Sequence, residues 1–130
     1  MAQERKIIIY GGNGYTGKLV AEALARRQIP FYFAGRSQEK LQKGLAIVRE
    51  RLGQEAWKLD AEVATLDGSH ASLVAAFSKC SIVINVVGPF MQLGWPVVEA
   101  ALETGCHYID TTGEQDWTIA IAEKFGPQFG

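Results

Sequence analysis

Apolar positions along this chain change period repeatedly, and each change predicts an element boundary. Ile7-Ile8-Ile9 is an unbroken apolar run inside Lys6 to Tyr10, which reads as a strand. From Tyr15 to Arg27 the spacing becomes helical, with Leu19, Val20, Ala23 and Leu24 on the expected inner face, and Gln28-Ile29-Pro30 ends the helix. Phe31-Tyr32-Phe33-Ala34 reads as a second strand. Ser37 is a candidate N-cap for a charged helix from Gln38 to Leu52, with Leu41, Leu45, Val48 and Leu52 inward and Gly53 as its stop. After a polar stretch, Glu62 to Leu66 makes a third strand, and Ser69 or Ser72 opens a helix through Leu73, Val74 and Phe77. Ser81 to Val87, with Ile82, Val83, Ile84, Val86 and Val87 apolar, reads as a strand buried on both faces and therefore central. Trp95 to Thr104 is helical, Gly105 caps it, and His107-Tyr108-Ile109-Asp110 forms a fifth strand. A last helix is expected near Gln115 to Phe125.

Strands alternating with helices predict a parallel sheet covered on both faces through right-handed crossovers, a doubly wound α/β fold. The 130 residues, 48% of them hydrophobic, suit one domain over residues 1–130. Thirteen basic and fourteen acidic residues give a net charge of -1, and without a basic tract this argues against nucleic acid or an anionic membrane surface as partner. The polar Met1 to Lys6 segment has no apolar leader region and no run reaches membrane-spanning length, so the expected location is cytoplasmic. Cys80 and Cys106 fit small buried hydrophobes, and His70 and His107 have no metal-ligand spacing to another donor; no metal is expected.

Chemistry enters at Tyr10-Gly11-Gly12-Asn13-Gly14-Tyr15-Thr16-Gly17. Gly12, Gly14 and Gly17 have the G-x-G-x-x-G spacing between a strand and a helix. Such a turn needs one glycine for its tightness, one for the approach of a pyrophosphate and one for close helix packing. The anion then meets free N–H groups at the helix N-terminus, with Asn13, Tyr15 and Thr16 beside it. Gly-rich turns also occur for steric reasons alone. The βα array favours the binding role, because ligands of open α/β sheets lie at the carboxyl ends of the strands near the reversal of strand order.

The second strand decides the nucleotide. An acid about 20 residues beyond the glycines would hold the ribose 2′-OH of NAD, but here the strand ends Ala34-Gly35-Arg36-Ser37. Arg36 offers a planar fork to a 2′-phosphate, Ser37 a hydroxyl and Lys40 a point charge, so the expected cofactor is NADP (NADPH). The competing reading makes Arg36 a solvated loop residue and Ser37 only a cap. Two readings stand for Asp67, an adenine contact or a turn into the next N-cap. Asn85, polar within a buried run, must find hydrogen bonds, and backbone pairing in the core is its favoured task. Val87, Gly88 and Pro89 close the fourth strand where the ribose and nicotinamide end would come close.

Four stretches together resemble the NADP-binding domain of the saccharopine dehydrogenase-like family, which includes saccharopine reductases and trans-acting enoyl reductases. They are Gly11 to Val20, Ala34-Gly35-Arg36-Ser37, Val83 to Phe90 and His107 to Glu114, the last being the most specific with its Asp-x-x-Gly-Glu. The resemblance implies a Rossmann domain using NADP(H), and a further domain that contributes to substrate binding and dimerisation. On that view residues 1–130 are an N-terminal cofactor domain of a longer protein, expected to bind without turnover and to self-associate through surface the missing domain covers. Asp110, Thr111, Thr112 and Glu114 then either border a substrate or cap the last helix, the capping role being favoured. Phe90, Met91 and Trp95 either line the nicotinamide pocket or pack in the core.

The first functional expectation is therefore the cofactor domain of an NADP-dependent oxidoreductase with a small-molecule substrate. A non-catalytic NADP-sensing or scaffold module is the alternative, since fold alone does not separate them. A short-chain dehydrogenase is disfavoured because no Tyr-x-x-x-Lys occurs in these residues. No catalytic acid, base or nucleophile is assigned.

Overall fold

The computed structural model describes residues 5–12, 14–87 and 94–110. Among them, strands β1 (Ile7–Tyr10), β2 (Phe31–Gly35), β3 (Ala61–Thr65), β4 (Ile82–Asn85) and β5 (His107–Asp110) form one parallel sheet in the order β3-β2-β1-β4-β5. Helices α1 (Tyr15–Arg26), α2 (Gln38–Leu52), α3 (His70–Phe77) and α4 (Trp95–Thr104) connect them. Helices α1 and α2 pack on one face with Ile9, Phe31 and Phe33, while α3 and α4 pack on the other with Ile8, Tyr10 and Val83. This is the doubly wound α/β fold. Strand order reverses between β1 and β4, where Tyr10 pairs with Asn85.

Several expectations change. The centre of the sheet is β1, and β4 lies beside it with Ile82 and Ile84 only half-buried. The fourth strand is also shorter than its apolar run, because Val86 and Val87 already belong to the turn. The third strand ends at Thr65, with Leu66 buried just beyond it. Ser69 caps α3 by accepting the Ser72 N–H at 3.2 Å, which decides between the two serines. The polar stretch after Gly53 holds a 3-10 helix, Gly53–Lys58. The last predicted helix lies outside the described residues.

The inner face of α1 is the most instructive correction. Gly17, Ala21 and Ala25 are buried, whereas Leu19 is 42% exposed and Ala23 is exposed; Val20 and Leu24 are half-buried at the rim. These small residues recur every four positions and form one stripe. The cause is distance: a Cβ at Gly17 would lie 2.5 Å from the Gly12 carbonyl oxygen and 2.6 Å from its Cα. Large side chains therefore turn away, although they dominate the apolar pattern. On α2 there is no such constraint, and Leu41, Leu45, Val48 and Leu52 are buried as the periodicity predicts, with Gly44 among them.

The Gly17 contact is backbone on backbone and has no flexible side chain that could yield. Gly17→Ala is expected to destabilise the domain by about 1–3 kcal/mol, the scale of overpacking. Urea unfolding of the variant against the unmodified chain measures it.

Candidate cofactor-binding site

The glycine turn is built by its neighbours. Gly11 and Gly12 both donate their N–H groups to the Ala34 carbonyl of β2, at 2.9 and 3.1 Å. A Cβ at Gly12 would enter the Phe33 ring at 2.6 Å, and Gly11, at φ +91°, faces Val87 so closely that a Cβ would sit 2.5 Å from its Cγ2. Gly14 differs. It is exposed, a Cβ there would come no closer to a described atom than an ordinary 3.5 Å, to the Gly11 carbonyl oxygen, and it begins α1 without a side-chain cap. Packing thus requires glycine at 11, 12 and 17, while at 14 no described atom does. Tyr15 and Thr16, exposed and half-buried, continue the first turn of α1.

Beside this turn a cavity of about 390 Å³ opens at the carboxyl ends of β1 and β2. Tyr10, Leu73 and Val97, all nearly fully buried, supply apolar wall, together with Val87 and Pro96. Arg36, Ser37 and Lys40 supply the polar wall, and the described lining contains no acid. Among the described residues neither Arg36 nor Lys40 has an ion-pair partner. The guanidinium lies against Gly68, where a Cβ would approach it to 3.0 Å. Ser37 accepts the Lys40 N–H at 3.3 Å as the cap of α2, which leaves its own O–H available to donate. The residues present therefore fit an anionic ligand with an apolar part.

Of the remaining predicted contacts, Val87 lines the cavity, while Asn13, Gly88 and Pro89 lie outside the described residues. The alternatives for Phe90 and Met91, and for Thr111 to Glu114, fall there too. Asp67 is exposed and outside the cavity lining; its carboxylate accepts the Ser69 N–H at 2.8 Å and holds the turn into α3. Beside Tyr10, Gly11 and Gly35 from the motif stretches, the cavity also has walls that sequence reasoning did not assign to the site: Gly68, Leu73, Pro96 and Val97. Gly68 had a signal, as a glycine just past a strand end. Leu73 and Val97 had none, since a residue of the cavity floor follows the same helical period as any core residue.

On the opposite side of the strand reversal, Asn85 is fully buried. Its side-chain oxygen accepts the Val87 N–H at 3.1 Å and its amide donates to the Tyr108 hydroxyl at 2.9 Å. Tyr108 in turn donates to Asp110 at 3.0 Å. Burial pushes the Tyr108 phenol well above its ordinary range, so it stays protonated. His70 pairs with Glu103 across α3 and α4, and Cys106 donates its thiol to the Phe77 and Cys80 carbonyls, while burial raises Cys80 to about 11. No group of three or more metal-ligating side chains occurs among the described residues. No helix among them is long and apolar enough to cross a membrane.

Residues 7–127 match the family described as Saccharopine dehydrogenase NADP binding domain. The chain belongs to that family. NADP is accordingly the cofactor of this saccharopine dehydrogenase-type domain. A saccharopine dehydrogenase-like oxidoreductase of Rattus norvegicus is 36% identical over 96% of the chain, and a trans-acting enoyl reductase of Mycobacterium leprae is 37% identical over 86%. The chain spans 32% of the length of the first and 26% of the second. Among solved structures, the apo histidine-tagged saccharopine dehydrogenase (L-Glu forming) of Saccharomyces cerevisiae superposes with a TM-score of 0.69 at 15% identity, covering 90% of this chain and 24% of that one, which places the fold.

The Asp67 turn yields a pH prediction. Hydrogen bonds from the Ser69 hydroxyl, then its backbone N–H, then Ser72 hold Asp67 at about 2, down from 3.8. A depressed carboxylate stabilises the fold above its unfolded value and loses that contribution as pH falls through the folded one. The stability gap between the unmodified chain and Asp67→Asn is therefore expected to be fully open near pH 5 and to close on acidification from about pH 4 to about pH 2. Urea midpoints across that range read it, and a gap independent of pH contradicts the assignment.

Proposed function

We propose that this segment is the NADP(H)-holding part of a saccharopine dehydrogenase-like oxidoreductase, and that residues elsewhere in the longer protein complete hydride transfer with a small-molecule substrate. One observation carries the reading of the site: Arg36 and Lys40, without ion-pair partners among the described residues, line a cavity at the end of β2 that has no acid in its described wall. A 2′-phosphate suits those two cations and the Ser37 hydroxyl, whereas a bare ribose diol would need an acceptor at the same place. Gly14 and the uncapped start of α1 suit the pyrophosphate. The bound nucleotide would supply the nicotinamide that gives or takes hydride; this segment orients it.

The relatives' names support the oxidoreductase reading, and their greater length supports a substrate site shared with the rest of the protein. The described residues offer a half-buried phenol and a turn-forming carboxylate rather than an exposed acid–base pair in the cavity. Binding without turnover is the expected behaviour of the segment alone.

Calorimetric titration of NADPH and NADH into the chain tests this reading. Arg36→Ala is expected to weaken NADPH by about 1.5–3 kcal/mol, the scale of hydrogen bonds between charged groups, with little effect on NADH. Equal affinity of the unmodified chain for the two nucleotides would remove the assigned role of Arg36. Gly14→Ala supplies the complementary measurement. Its urea midpoint should stay close to that of the unmodified chain, while both nucleotides weaken about tenfold or more, near 1.4 kcal/mol, because they share the pyrophosphate.

A further inference from the structure

We propose that the Asn85–Tyr108–Asp110 hydrogen-bond chain is a positioning device for the nicotinamide half of the dinucleotide, fixing together the carboxyl ends of β4 and β5. This rests on the NADP-holding role proposed above.

Direction follows from the sheet. The cations that suit the 2′-phosphate stand at the end of β2, on one side of β1, and strand order reverses on the other side, between β1 and β4. A dinucleotide that starts at Arg36 and crosses the α1 N-terminus must extend its other end toward β4 and β5. Asn85 pairs in register with Tyr10 of β1 on one side and Asp110 of β5 on the other, so it occupies the crossing point.

The hydrogen bonds explain what the chain does there. By accepting the Val87 N–H, Asn85 fixes the backbone two residues onward, and Val87 packs against the Gly11 turn. Through Tyr108, the same amide is tied to the last residue of β5. The chain thus links the glycine turn, the start of the β4 loop and the end of β5 in one continuous set of contacts. An apolar residue at position 85 would fill the core equally well but would not hold Val87 or reach β5. Tyr108 is not among the described residues that line the cavity but packs behind them, against the cluster that holds Tyr10 and Val97, so it acts through its neighbours.

Titrations of the chain and of Tyr108→Phe, each with NADPH and with adenosine 2′,5′-bisphosphate, test the proposal. The second ligand carries the phosphate that Arg36 would bind but lacks the nicotinamide half. Tyr108→Phe is expected to weaken NADPH about three- to tenfold while leaving adenosine 2′,5′-bisphosphate within about twofold, a split that general loosening of the fold would not produce. Equal losses for both ligands, or no loss for either, each overturn the positioning role. If the unmodified chain binds neither ligand, the NADP-holding role fails first and the positioning role with it.

Discussion

The rest of this structure depends on the contact between the backbones of Gly12 and Gly17. With no side chain at either position, α1 settles against the end of β1 at a separation that any Cβ would prevent. Ala21 and Ala25 extend the same close approach along the helix. The arrangement sacrifices apolar area, since three small residues bury less surface than three leucines would. Phe31 and Phe33 on the sheet, with Leu41, Leu45 and Val48 from α2, make up the core on that face. What close packing secures is placement: the first turn of α1, with its outward N–H groups, stands directly over the carboxyl end of the central strand.

Glycines that look equivalent in the motif divide into two physical classes. At positions 11, 12 and 17 the protein's own atoms leave no room, against Val87, Phe33 and Gly12 respectively. At position 14 a Cβ would meet the described atoms only at ordinary contact distance. A purely architectural turn would tolerate a side chain there, so that position separates a phosphate cradle from a tight turn. Gly68 acts at the other end of the cavity, where the absence of a side chain leaves space for the Arg36 guanidinium. The cation is therefore seated by a gap, without an ion-pair partner among the described residues that would compete with a ligand for its charge.

Much of this was legible in the sequence because periodicity reports burial wherever large residues do the burying. The face of α2 and the five strands followed from it, as did Ser37 and Gly105 as helix ends. It failed on α1 for the converse reason: where backbones touch, the buried stripe is made of the smallest residues, and the larger Leu19 is displaced outward. Arg36, Ser37 and Lys40 could be placed at one site because a strand end and the first turn of a helix have fixed geometry. Gly68, Pro96 and Val97 could not, since they reach the cavity from elements distant in sequence, and no local pattern encodes which helix ends converge. Asn85 stood out as a polar residue in an apolar run, but its link to Tyr108 crosses two strands whose pairing only the sheet order reveals.

The two sides of the strand reversal differ in how their polar groups are used, and the difference assigns them different tasks. On the β2 side, Arg36, Ser37 and Lys40 line a cavity, and among the described residues the two cations have no ion-pair partner and the Ser37 hydroxyl is used only as an acceptor. On the β4 and β5 side, Asn85 uses both ends of its amide, Tyr108 both accepts and donates, and Asp110 is engaged. Groups left open exchange water for the ligand when one arrives, so they supply affinity. Groups already satisfied inside the fold gain little from a ligand, and their energetic role is to hold geometry before it arrives. A dinucleotide spanning both sides would be gripped at its phosphorylated ribose and merely aligned at its reactive end. Such a division suits a domain whose nicotinamide must remain accessible to a substrate.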